Sequence, residues 1–279
     1  MNRKTEPAQD AVKKARGLMT LLFGLYAVYQ IFVIVTAIGA PAGDWSELVV
    51  TLLQALAGIA LTFLPELLRR LHWIEMRPGL EMAYLVFLFL ALFLGTLMRF
   101  FVNVSFWDTL THALASALGA FALYGIWEAV AMSWSEQVTA PSEARGHAKS
   151  EATAATHRQT AKRYEAPQRT GRRASQGKGL LQRAPWDNGP MGYGFALGMT
   201  LVGGVLWEIY EFTIDAFMPK QNLQRYAAIG GGLLEGRAAL MDTMVDLIWD
   251  LTGAVVALVI VWGIRKKTGR RLGQVRFRP

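Results

Sequence analysis

Six stretches of nearly unbroken apolar residues mark the chain, near residues 17–39, 46–66, 80–101, 109–133, 191–215 and 239–264. Each is close to the length, about 20 residues, that a helix needs to cross a hydrocarbon core of about 30 Å. Polar residues gather in short runs between them, with one long exception. The pattern predicts an all-α, polytopic membrane protein of six transmembrane helices in three parts. Residues 1–133 carry spans 1 to 4 behind a basic N-terminal arm, 134–189 form a polar, basic insert, and 190–279 carry spans 5 and 6 with a basic tail. The 53% hydrophobic content and positive mean hydropathy fit that reading.

Charge supplies the orientation. The formal net charge is +8, and the basic residues alternate by connection. Arg3, Lys4, Lys13, Lys14 and Arg16 precede span 1, Arg69, Arg70 and Arg77 separate spans 2 and 3, and Arg265, Lys266, Lys267, Arg270 and Arg271 follow span 6. With the basic insert, these segments belong on the cytoplasmic side, which puts both termini inside a plasma (inner) membrane protein. The first apolar run is too long for the core of a cleavable signal peptide, although Ala40-Pro41-Ala42 looks like a cleavage site. The insert has few apolar groups to offset the entropy of ordering, so it reads as a solvated linker without a fixed fold. Its alternative role is attachment to anionic lipid headgroups, at about 1 kcal/mol per basic residue near the surface. Nucleic acid is not an expected partner, because no base-stacking aromatics are interleaved with the arginines. The chain has no cysteine, which excludes disulfides, thiolate metal sites and a cysteine nucleophile.

Orientation gives each ionisable residue a depth. Span 4 opens with Asp108 and, one turn deeper on the same face, His112; span 5 ends with Glu208, Glu211 and Asp215; span 6 descends through Asp242, Asp246 and Asp250. Three spans therefore bring seven carboxylates to the outer half of the membrane, against His112, Arg99 and Arg237 as nearby cationic partners. Each central aspartate costs about 2.5–3.5 kcal/mol, so protonation, water or a bound cation must offset the cluster. Glu66 and Glu128, near inner ends, read as simple interfacial residues. His72, His147 and His157 read as interfacial or solvated.

The segment FWDTLTHALASALGA (106–120) aligns without a gap on LMDTMVDLIWDLTGA (240–254). Asp108-Thr109 matches Asp242-Thr243, His112 matches Asp246, and Gly119-Ala120 matches Gly253-Ala254. This predicts a parallel repeat of helix pairs 3–4 and 5–6 about an axis along the membrane normal.

These residues carry a resemblance. WEIYEFTID in span 5, MDTMVDLIWDLTGA in span 6 and the Asp108-x-x-x-His112 pair resemble the YjdF-type bacterial inner-membrane proteins, over roughly the half of the chain that holds spans 4 to 6. More distantly, Asp108, His112, Glu208, Arg237, Asp242, Asp246 and Gly253 are laid out as in the VanZ-like proteins of teicoplanin resistance. Asp250 falls where that pattern more often has Asn. Neither resemblance brings an established reaction.

Three functions stay open. One is divalent-cation chemistry on a lipid-linked substrate: Asp108, Glu211, Asp242 and Asp246 as metal ligands, His112 and Glu208 as catalytic groups, and Arg99 and Arg237 gripping the substrate anion. An oxygen-rich ligand set suits Mg²⁺, Mn²⁺ or Ca²⁺ better than Zn²⁺. The second is a proton- or cation-coupled transporter, and the third is a structural network in an envelope or antibiotic-tolerance complex.

Overall fold

Charged and apolar residues both continue the first helix: α1 runs Glu6–Ala37, starting well before its apolar core because Lys, Arg and Ala are strong helix formers. The computed structural model describes residues 6–37, 45–71, 73–133, 190–217, 222–224, 232–269 and 271–277. The 134–189 insert, its lipid-headgroup role, and His72, His147 and His157 lie outside the described residues, as do Lys220 and Arg225.

Prolines set the next boundaries. α2 (Trp45–Thr62) ends before Pro65, which lacks the N–H to continue a helix and instead sits in the first turn of α3 (Leu64–Arg70). The two helices meet at 45°. Pro78 likewise opens α4 (Pro78–Leu88), which continues as a π-helical segment, Phe89–Leu97. A short α5 (Phe100–Asn103) leads to α6 (Trp107–Ser133), α7 (Met191–Phe217) and α8 (Arg237–Thr268). α1, α4 with its π segment, α6, α7 and α8 are long and apolar enough to cross a membrane, and the bent α2–α3 pair makes a sixth span if taken as one.

Two apolar cores hold these helices. Met19, Phe23, Ala27, Ala55, Leu88 and Leu97 join α1, α2 and the α4 span, and Ala120, Tyr124, Ala196, Ala254, Ala257 and Val261 join α6, α7 and α8. Outward faces carry Leu25, Val28, Val202, Leu206, Val256 and Ile260, exposed as lipid-facing residues are.

The structure departs from a purely helical chain at one place among the described residues. β1 (Ile74–Met76) pairs antiparallel with β2 (Val275–Phe277), Ile74 opposite Phe277 and Met76 opposite Val275. An even number of spans separates the strands, so both lie at the same end of the bundle.

Glu128 meets the tail where it folds back. It is 1% exposed, which corrects its reading as a simple interfacial residue. Its carboxylate accepts the backbone N–H groups of Gly273 at 3.0 Å and Leu272 at 3.4 Å, with the Arg265 guanidinium 3.5 Å away. Gly125, one turn earlier on α6, leaves room for Val275 and Gln274. Glu128→Ala is expected to speed amide exchange at Leu272 and Gly273 by roughly tenfold while leaving α6 protected; unchanged exchange would show that the sheet alone holds the tail.

Glu66 keeps its basic neighbours. It joins Arg16, Arg69, Arg70 and Glu81 in one ion network linking α1, α3 and α4. Glu81 accepts from Arg16 and, at 2.9 Å, from Arg69, while Glu66 receives Arg69 at 3.1 Å and Arg70 at 3.1 Å.

Candidate functional site

α6 begins at Trp107, whose buried ring packs edge-on against Phe100 with centroids 4.8 Å apart. That anchor turns Asp108 and His112 to the face that meets α7 and α8. On α8 the buried positions are Asp246, Asp250, Gly253, Ala254, Ala257, Leu258 and Val261, one stripe at helical spacing. The stripe is acidic in its first half and apolar in its second. α7 presents Glu208 to the same space, among the few buried residues of a mostly lipid-facing helix.

The side chains converge on His112. Its Nε2 lies 3.8 Å from Asp108 Oδ1 and 3.8 Å from Glu208 Oε1, and its Nδ1 lies 3.3 Å from Asp250 Oδ1. Ser116 Oγ donates to the same Asp250 oxygen at 2.6 Å. An imidazole whose Nδ1–H is directed at a carboxylate holds its Nε2 lone pair toward the opposite groups. The candidate ligand set overlaps these groups only in part: one atom each from Asp108, His112 and Asp246 lie within 4.8 Å of one another.

Exposure grades along the site. The Asp108 side chain is 40% exposed and that of Asp250 is 2% exposed, so the cluster opens at the start of α6 and closes at mid-helix on α8. Asp250 Oδ2 and both oxygens of buried Glu208 make no close hydrogen bond, although Glu208 has the His112 imidazole at 3.8 Å and Thr243 beside it. A buried carboxylate without a close hydrogen bond is costly, and so its place in the fold calls for a proton or a cation.

Glycines make this closeness possible. A Cβ at Gly204 would run into the Asp250 carboxylate, and one at Gly253 would overlap the backbone carbonyl of Ala113. α7 and α8 therefore each contribute a bare backbone at the depth of His112 and Asp250.

The other predicted residues sit further out. Asp242 and Glu211 are half-buried and electrostatically close to Asp108, Glu208 and His112, but Glu211 also accepts the indole N–H of Trp207 on its own helix at 2.8 Å. Asp215 accepts the backbone N–H groups of Leu223 at 2.6 Å and Gln224 at 3.0 Å, a role in ordering the loop. Arg99 caps α5 in a left-handed conformation (φ 60°) beside Tyr26 of α1, and Arg237 is exposed in the first turn of α8. His112, read from sequence as a catalytic proton carrier, stands here among the candidate ligands. Sequence reasoning passed over Asp250 and Ser116 as site residues. Ser116 carries no signal of its own in sequence, because a small hydroxyl residue on a membrane helix is ordinarily read as a packing residue.

The family model described as "Predicted membrane protein (DUF2238)" matches residues 20–141 and 172–267. The chain belongs to the DUF2238 family. Both matched blocks include the site, Asp108 and His112 in the first and Glu208, Asp246 and Asp250 in the second, and the break between them falls in the insert. Among curated proteins, this DUF2238 chain is 41% identical over 85 residues to a Thermotoga maritima protein described as "Uncharacterized protein". That alignment covers 30% of this chain and 36% of the relative, so it spans well under two thirds of the relative's length. No solved structure matches.

Proposed function

We propose that this DUF2238 protein is a multi-pass inner-membrane protein, both termini cytoplasmic, whose buried acidic site faces the extracytoplasmic side and holds a divalent cation. The observation that carries the reading is the convergence of Asp108, His112 and Asp246 atoms within 4.8 Å, beside the buried Glu208 carboxylate. Carboxylates with one imidazole suit Mn²⁺ or Mg²⁺, with Ca²⁺ and Zn²⁺ as competitors. Asp108, His112 and Asp246 would hold the ion, and Asp242 and Glu211 would add negative charge nearby. A cation so placed supplies Lewis acidity toward a phosphoryl or carbonyl oxygen.

Glu208 would then be the group that takes a proton, and Arg99 and Arg237 would serve as anion partners at the rim. A lipid-linked or envelope phosphate is the substrate class that a site opening at the Asp108 end would receive. The VanZ-like layout of Asp108, His112, Glu208 and Asp246 supports an envelope role. Transport is less well supported, because the α8 stripe turns apolar below Asp250 and offers no further carriers through Val261.

The test is elemental analysis and binding calorimetry on detergent-purified wild type, Asp246→Asn and Glu208→Gln. We expect one divalent ion per wild-type chain, loss from Asp246→Asn by 100-fold or more in affinity, roughly the upper range for disturbing a metal's ligand shell, and a weaker loss from Glu208→Gln. Metal-free wild type that remains folded would overturn the reading and leave protonated carboxylates in a structural network.

A further inference from the structure

At the opposite end of α7 and α8 from the acidic site, the two helices leave a shallow groove of about 300 Å³, largely open to its surroundings. Tyr193, Gly194 and Leu197 line it from α7, and Val255, Leu258, Val259 and Trp262 from α8, with Leu258 the most buried of the α8 set. Gly194 opens it: a Cβ there would meet nothing within 4 Å. Every lining group is apolar or aromatic, and Val255, Val259 and Trp262 are exposed where lipid would be. From Val255 to Trp262 the groove runs about 10 Å, around two thirds of the depth of one leaflet's hydrocarbon.

Charge caps this groove at one end only. Lys266 Nζ sits over the Trp262 ring, 4.8 Å from its centroid, and Lys267 follows. Arg265 is turned away, toward Glu128 at 3.5 Å and over the Tyr124 ring at 5.5 Å. Lys266 meets no carboxylate among the described residues, whereas the neighbouring arginine does. A shallow apolar groove two thirds of a leaflet long, opening sideways and ending beneath ammonium groups, has the complementarity of a phospholipid: part of one acyl chain along the groove and an anionic headgroup at the lysines.

We propose that the α7–α8 groove is a binding site for an anionic phospholipid of the leaflet at the basic end of the bundle. Lys266 supplies headgroup recognition, and Trp262 both lines the chain slot and aligns Lys266 through its ring face. This site uses none of the residues of the acidic cluster.

Trp262 makes the test direct, since a brominated acyl chain quenches an indole it touches. The full-length protein is reconstituted into vesicles of brominated phosphatidylcholine and, in parallel, brominated phosphatidylglycerol. The signal of Trp262 is isolated from the nine tryptophans by subtracting the Trp262→Phe variant. The expected result is preferential quenching of Trp262 by phosphatidylglycerol, with roughly fivefold in relative affinity contributed by each lysine near the headgroup. Lys266→Gln/Lys267→Gln removes the preference but keeps the quenching. Gly194→Leu fills the groove and removes the preference, leaving only the equal quenching of the lipid-exposed face of Trp262, while leucine, the better helix former, favours α7. Equal quenching by the two lipids in the wild type would reduce the groove to bulk lipid contact. Absence of quenching by either lipid would mean that protein, such as a second copy of the chain, covers it. A preference that survives both variants would put the anionic lipid elsewhere. Each of these three results overturns the proposal.

Discussion

Gly253→Ala is expected to lower the thermal stability of the detergent-solubilised protein sharply, while Gly263→Ala ten residues further along the same helix raises it slightly or leaves it unchanged. Both substitutions gain up to about 1 kcal/mol of helix propensity. Only their surroundings differ. At Gly263 the new methyl group enters open space, and at Gly253 it overlaps the Ala113 carbonyl, a backbone atom that cannot rotate away. α6 and α8 must then separate where His112 meets Asp250, which we expect to cost roughly 2–3 kcal/mol as overpacking of a tight interface. The two variants, compared by thermal unfolding monitored by tryptophan fluorescence, separate the steric cost from any general effect of losing glycine. Equal midpoints would show that the helices part without loss and that the close crossing is incidental.

The second large effect is expected at the opposite end of the chain. Glu81 is 3% exposed and accepts from two guanidinium groups, Arg16 on α1 and Arg69 on α3. Removing one partner of a buried ion pair leaves uncompensated charge, typically about 3–5 kcal/mol. Glu66 also lies beside both arginines, at 3.5 Å and 3.1 Å, and takes up part of the imbalance. Glu81→Ala should therefore destabilise the α1–α4 half by roughly 3 kcal/mol. Glu66→Ala, whose carboxylate is 25% exposed, should cost far less. The ordering of the two midpoints is the informative result, and its reversal would assign the central role to Glu66. The double variant Arg16→Met/Glu81→Met would recover much of the loss if the defect is unpaired charge.

Both effects bear on what a sequence can disclose in such a protein. The spans were legible because bilayer thickness imposes a length and an apolar composition that no other context demands. The acidic face was legible because aspartates four residues apart on one helix have to share a side. Partnership between helices was not. Asp250 and Asp246 look alike in sequence, yet Asp250 meets His112 and Ser116 whereas Asp246 lies at the candidate ligand set. That distinction depends on the rotation of α8 against α6, which is set by Gly253 on the Ala113 backbone and by Gly204 facing Asp250. Small residues permit close approach in membranes without specifying which helix approaches. Arg16, Arg69 and Glu81 were hidden for a different reason: the rule that places arginines at the inner surface accounts for them fully, so their pairing adds no further mark to the sequence. Glu128 was hidden by its partners, since backbone N–H groups carry no signature of their own.

The pairing of β1 with β2 also has a temporal meaning. Residues 74–76 leave the ribosome before any of α4, α6, α7 or α8, and their strand partner is made only after all of these. Throughout synthesis the α1–α4 half must keep its place in the membrane by its own ion network and its own core. The bundle is closed into a single unit when Val275 reaches Met76 and Glu128 receives the N–H groups of the tail. The pairing of β1 with β2 thus records that the spans between them have been threaded with the right parity.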